Sequence, residues 1–240
     1  MPDRKFGRIP SPIDRRDWDL DDFIPIKFKL VLPKKKSWEF PLTPLDQGAT
    51  AHCVGFSMAH FGINLPTLTP YTKQDAHDFY YKCKVIDGDP KGENGTTLRS
   101  AAKVFQNIGA IDNYAFARDL NAIKTWLLTK GPIIMGTLWT EDMMFPDEHG
   151  VIDIGGYVLG GHAYLINEWD VKKGYVTILN SWGEKWGIDG RAYISIEDFE
   201  LVFSYGGEAL ATIELEEYRT VQNACFLRNL FNRFINWLRN

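Results

Sequence analysis

The apolar positions change period part-way along the chain. From residue 53 to about 130 they recur every three to four places, as on one helix face; beyond Pro132 they form short runs separated by glycines, as in strands. The first helical stretch runs from Cys53 to about Gly62 and stops at Gly62 and the turn Asn64-Leu65-Pro66. A second begins at Thr72, which forms a capping pair with Asp75, and reaches about Val85 with Ala76, Phe79, Tyr80 and Cys83 on one face. Thr96 or Thr97 caps a third, ending near Ile108 before Gly109, and a fourth covers about Asp119 to Lys130. Strands are predicted at Ile133 to Trp139, Val151 to Ile154, His162 to Glu168, Tyr175 to Leu179, Arg191 to Ile196 and Ala209 to Leu215. A helical half followed by a strand half is an α+β pattern.

The two ends depart from both periods. Residues 1–37 hold several prolines, the charged stretch Asp14 to Asp22 and the basic run Lys34-Lys35-Lys36, and predict an extended arm with little regular structure. Its aromatics Phe6, Trp18 and Phe23, with Trp38 just beyond, imply that it lies on a protein surface. Residues 216–240 predict an amphipathic helix, with Leu227, Leu230, Phe231, Phe234 and Leu238 on one face and Arg228, Arg233 and Arg239 on the other. Such a helix suits docking on the domain, on a second subunit, on a larger assembly or on a membrane surface.

Composition narrows this picture modestly. The 240 residues are 45% hydrophobic and 14% aromatic, enough for a substantial core, and no internal repeat is evident. A net charge of -4 gives no reason to expect nucleic-acid binding, and nothing in the pattern calls for a metal or cofactor. Cys53, Cys83 and Cys225 are few and far apart, which argues against a disulfide framework and for a reducing compartment. With no signal-peptide pattern in Met1 to Pro12, a cytoplasmic location is expected.

The candidate chemistry centres on Cys53. It follows the turn Asp46-Gln47-Gly48 and opens a helix, where free backbone N–H groups and the positive end of the macrodipole favour an ionised, nucleophilic thiol. A cysteine nucleophile needs a base, a group that orients the base and donors for the oxyanion. His162, after Gly160-Gly161, suits the base. Asn180, at a strand end, can accept from its second ring nitrogen, and Gln47 lies six residues before the thiol. Taken singly, each has a structural alternative: a turn glutamine, a satisfied strand histidine, a turn-starting asparagine.

Together, Asp46-Gln47-Gly48-Ala49-Thr50-Ala51-His52-Cys53, Gly160-Gly161-His162-Ala163 and Asn180-Ser181-Trp182-Gly183 with Trp186-Gly187 resemble the papain-like cysteine peptidases over about residues 38–215. The resemblance implies a two-lobe fold, a helical lobe (about 46–115) followed by an antiparallel β-barrel or sheet lobe (about 116–215), with the active site in the cleft between. It implies that Cys53 is the nucleophile, His162 the base and Asn180 its orienter. Gln47 with the Cys53 N–H would form the oxyanion hole, and Trp182 would shield the His162–Asn180 bond. Asn94, Gly95, Thr96 and Gly161 would line the groove of a polypeptide substrate.

Departures from the family pattern are informative. Thr50 and Glu93 stand where two cysteines are usually bridged, so that loop would be held without a disulfide. Thr96, replacing a glycine, is expected to narrow the groove, and Val54 replaces an aromatic. His52 is expected to face solvent at the turn, with proton transfer as its lesser alternative, and His60, His77 and His149 to be structural or superficial. In place of a long inhibitory propeptide there are some thirty residues, which fits a cytosolic prokaryotic or viral type. These could cross the cleft, although docking between the lobes through Trp18 and Phe23 is the expected arrangement. An acyltransferase using the same trio, and a catalytically silent binding protein, are the alternatives to hydrolysis.

Overall fold

The structure is a computed structural model and describes residues 3–24 and 31–213. The expected helix over 216–240, with Cys225, lies outside the described residues.

Among the described residues there are five α-helices: α1 (Cys53–Ile63), α2 (Lys73–Ile86), α3 (Leu98–Asn107), α4 (Leu120–Thr129) and α5 (Ile196–Ser204). Their starts follow local chemistry. Thr72 and Asp75 form a reciprocal capping box at α2, while Thr97, Asp119 and Ser195 accept from backbone N–H groups at α3, α4 and α5. The sequence periodicity did not separate α5 from the strands around it, because its nine residues carry only two buried apolar positions, Phe199 and Val202.

The strands are β1 (Arg8–Ile9), β2 (Trp18–Asp19), β3 (Lys35–Ser37), β4 (Thr96–Thr97), β5 (Asn113–Phe116), β6 (Ile133–Thr140), β7 (Val158–Asp170), β8 (Tyr175–Leu179), β9 (Arg191–Ser195) and β10 (Glu208–Ile213). The main sheet runs β2-β5-β10-β6-β7-β8-β9, with β3 also on β7. It is not wholly antiparallel, because β2 of the arm joins β5 in parallel. The predicted strand at Val151 to Ile154 reduces to one bridge from Val151 to Tyr193.

Alternation along the central strands divides the core. Ile134 of β6 and Ala163 and Leu165 of β7 face α1, α2 and α3. Ile133, Met135, Tyr164 and Ile166 face the opposite core with Trp139, Trp169 and residues of α4 and α5. Both faces are therefore buried, which is why these strands read as continuous apolar runs. The arm is more ordered than expected, being pinned by β1 on β4, β2 on β5 and β3 on β7. Arg99 adds to this through Asp17 and the Pro12 carbonyl.

Candidate active site

Cys53 is the first residue of α1, and α1 packs against β7. Its sulfur receives backbone N–H groups, among them those of Ala163 and, from the arm, Gly7. The sulfur thus lies against the segment of β7 in which His162 precedes Ala163. The His162 Nε2 lies 2.8 Å from Asn180 Oδ1, while its Nδ1, also buried, has no hydrogen-bond partner among the described residues. That leaves Nδ1 available to exchange a proton with the thiol.

The imidazole is enclosed by aromatic rings. Trp182 lies 4.9 Å from it, Trp139 packs edge-on at 4.8 Å, and Phe6 of the arm closes the remaining side at 5.9 Å. Gln47 is equally fixed. Its side-chain carbonyl accepts from the Ser181 hydroxyl at 2.6 Å, and its amide donates to Thr50 O at 2.6 Å and to the Lys5 carbonyl at 3.1 Å. Ser181 also donates its backbone N–H to Asn180 Oδ1 at 2.8 Å, so one residue holds both amide side chains. Ser181 lay within the motif that carried the resemblance but drew no separate expectation.

Gly95 and Thr96 lie against the arm where it crosses the cleft. Thr96 N donates to Gly7 O at 2.9 Å, and a Cβ on Gly95, whose φ is +97°, would collide with that same carbonyl. Gly161 lies opposite, where a Cβ would meet the Arg8 carbonyl. The expected narrowing by Thr96 is not found: its hydroxyl donates to Asp87 Oδ2 at 2.6 Å, inside the helical layer. Asn94 is also turned away, accepting from Lys84 Nζ at 3.1 Å. Lys84 is buried, and it bonds Gly95 O at 3.0 Å as well, tying this segment to α2.

His52 does not face solvent. Its ring is buried, stacked on Tyr80 at 3.7 Å, with Nδ1 2.7 Å from His77 Nδ1 and Nε2 3.1 Å from Glu93 Oε2. Glu93 is one of the two positions at which the family's bridge is replaced, and this contact joins its loop to the turn that carries Thr50 and Cys53. His77 thereby gains a partner, as does His60, whose Nε2 accepts from Leu45 N at 2.9 Å. Cys53 and Cys83 are both buried free thiols.

The arm crosses the cleft through residues 4–9 and, further on, docks as expected through Phe23, which is buried in the core with Trp18 packed on its ring. Trp18 is half exposed, while Phe6, Gly7 and Arg8 sit over the sulfur and imidazole. Arg4 secures one end of the crossing, donating to Asp46 Oδ1 at 2.5 Å and to the Gly48 and Trp182 carbonyls at 3.1 Å. Arg8 secures the other end through Glu208. Burial under this cover pushes the Cys53 thiol up to about 11 against the backbone N–H groups that favour its ionised form. Burial likewise lowers His162 to about 4, opposed by its bond to Asn180. Burial in this closed cleft therefore opposes the ionised thiol that the helix terminus favours.

A thiol at a helix N-terminus, facing an imidazole–amide pair on a sheet, defines the papain-like class of α+β two-lobe folds. The chain belongs to the papain family of cysteine proteases, whose sequence profile matches residues 46–201. Cathepsin B-like cysteine proteinases 6 and 5 of Caenorhabditis elegans are each 35% identical over 79 residues, 32% of this chain. The match spans about a fifth of those relatives, 21% and 23% of their lengths. Among solved structures, xylellain, a cysteine protease from Xylella fastidiosa, superposes with a TM-score of 0.66 at 18% identity, over 89% of this chain and 98% of that one. Procathepsin B S9 from Trypanosoma congolense gives 0.61 at 15% identity, over 85% and 86% of the two chains.

Proposed function

We propose that the chain is a cysteine peptidase that hydrolyses polypeptides through a thioester acyl-enzyme, and that the structure is its closed form. The observation that carries this reading is the 2.8 Å bond from His162 Nε2 to Asn180 Oδ1 with Nδ1 left unpartnered, one residue before the Ala163 N–H that reaches the Cys53 sulfur. With the arm displaced, the Cys53 proton passes to His162 Nδ1 and the sulfur attacks the substrate carbonyl carbon. The developing oxyanion accepts from Gln47 Nε2 and the Cys53 N–H. Collapse expels the amine, protonated by His162, and leaves a thioester. Water, deprotonated by His162, then releases the acid. Asn180 holds the ring tautomer throughout, with Trp182 and Trp139 keeping water from that bond.

The arm occupies both places that catalysis needs: Gln47 donates to the Lys5 carbonyl, and the sulfur meets the Gly7 N–H. Incubation of the full chain with a thiol-directed epoxide, followed by peptide mass spectrometry, tests the reading. An adduct on Cys53, abolished in His162→Ala, is expected; a folded chain that never forms it excludes the peptidase.

A further inference from the structure

Gly7 of the arm spans the cleft between two fixed points. Its N–H meets the Cys53 sulfur, and its carbonyl accepts from Thr96 N at 2.9 Å. Both points hang on Tyr80 of α2. The Tyr80 hydroxyl donates to Gly92 O and accepts from Gly95 N, both at 3.1 Å, while its ring carries His52, the residue before Cys53, stacked at 3.7 Å. His52 also reaches the same segment directly, its Nε2 lying 3.1 Å from Glu93 Oε2, and the other Glu93 oxygen accepts from the Tyr81 hydroxyl at 3.0 Å. The spacing between the sulfur and the Thr96 N–H is thus set through one buried imidazole.

The protons on that ring follow from its partners. A carboxylate only accepts, so His52 Nε2 carries the hydrogen, and Nδ1 of the neutral ring is bare. It therefore accepts from His77 Nδ1 at 2.7 Å, which leaves His77 Nε2 bare. A first proton enters at His77 Nε2 and disturbs neither bond. A second has His52 Nδ1 to enter, where it would set N–H against N–H and bring two imidazolium charges together. Burial disfavours charge on both rings, while Glu93 favours it on His52. The other charged or titratable groups around the pair are Lys73 and Asp78 near His77, Lys5 near Glu93, and Cys53 near Tyr80. Resting on the peptidase reading above, we propose that His52 is a positioning residue for the substrate. It holds the segment from Glu93 to Thr96 at the distance from Cys53 that a polypeptide displacing the arm must bridge, and a second proton on the His52–His77 pair releases that hold.

The test uses the full chain carrying Arg8→Ala, a fluorogenic peptide substrate and epoxide titration of Cys53 to count active sites, from pH 7 to 4. Adding His52→Ala should raise KM roughly tenfold or more at pH 7, with kcat per titrated site within about threefold, because the hold acts on binding and leaves the reacting groups in place. On acidification KM of the parent should climb as the second proton binds. Adding His77→Gln instead should keep KM flat, because the amide presents either an N–H or an oxygen to His52 Nδ1. Thermal melts report folding at each pH. An unchanged KM in folded His52→Ala, or KM profiles that coincide with and without His77→Gln, overturns the proposal; where His52→Ala does not fold, the His77→Gln comparison decides. The epoxide separates the two readings. A chain that labels at Cys53 but gives either overturning result refutes the positioning role alone, and a folded chain that never labels removes the peptidase reading with it.

Discussion

Replacing Arg8 with alanine in the full chain should free Cys53 for alkylation. In the closed form Arg8 makes two charge-assisted bonds to Glu208 and one to a carbonyl, with 1% of its side chain exposed. Breaking a fully buried ion pair typically costs about 3–5 kcal/mol. Glu208 is 16% exposed and keeps its bond from Ser11, so part of that cost is relieved and about 2–3 kcal/mol remains for the arm. At 1.4 kcal/mol per decade this moves the closed-to-open equilibrium roughly 30- to 150-fold. While the closed form dominates, the labelling rate follows the open fraction, so iodoacetamide should modify Cys53 faster by that factor. Peptide mapping must assign the adduct to Cys53, since Cys83 is also a buried thiol. Rates within threefold of each other in the two proteins, both folded by circular dichroism, would refute the claim that Arg8 anchors the cover.

Three further outcomes follow from the same geometry. Ser181→Ala should lower kcat roughly 10- to 100-fold with KM within about twofold, because it frees the Gln47 amide without removing it, a milder change than the roughly 10²–10³ lost with an oxyanion donor. His52→Ala should cost about 1–3 kcal/mol in urea unfolding through the lost His77 bond and Tyr80 stack, and Glu93→Gln less than about 1 kcal/mol because Glu93 is mostly exposed; equal losses would contradict this. His60 and His162 are held neutral by burial, at about 3 and about 4, below their unfolded value of 6.5. Acid therefore protonates the unfolded chain first. Stability is full above pH 6.5 and falls as pH drops toward 4 and then 3, by up to ~3 kcal/mol from His162 and ~5 kcal/mol from His60, to be followed as urea midpoints from pH 7 to 4.

The helix starts were legible because they are local. Thr72 with Asp75, Thr97 and Asp119 announce themselves within one turn of chain. The central strands were legible as apolar runs because both faces of β6 and β7 are buried, whereas β2 and β4 are two residues long and exist only through pairing with distant segments. At the site, Cys53, His162, Asn180 and Gln47 stood out together through the resemblance of their motifs to a family, and the structure gathers all four at one cleft. His52 was misread because adjacency to Cys53 suggested a turn. Its burial depends on Tyr80 and His77, one helix away, and on Glu93, some forty residues on. Arg8 and Glu208 carry no local signal at all. An arginine in a proline-rich arm and a glutamate at a strand start acquire meaning only when the fold sets them 2.6 Å apart.

The crossing at the cleft links access and reactivity in one element. Gly7, Gly95 and Gly161 each lack the side chain that would collide across it, so the arm lies as close as a sheet strand does, and Arg4 and Arg8 tie down its two ends. That closeness excludes water from the thiol and the imidazole, and exclusion of water is the largest cause holding both neutral. Backbone donors at the sulfur, including those of α1, oppose it. Departure of the arm returns water and removes the Gly7 donor, while the N–H groups of Val54 and Ala163 stay, because they belong to α1 and β7. Opening the cleft therefore lowers the thiol toward the range expected of a helix N-terminus in the same step that admits substrate. An arm variant that exposed Cys53 without making it a better nucleophile would separate these two effects, and the shared burial of sulfur and imidazole argues that none will.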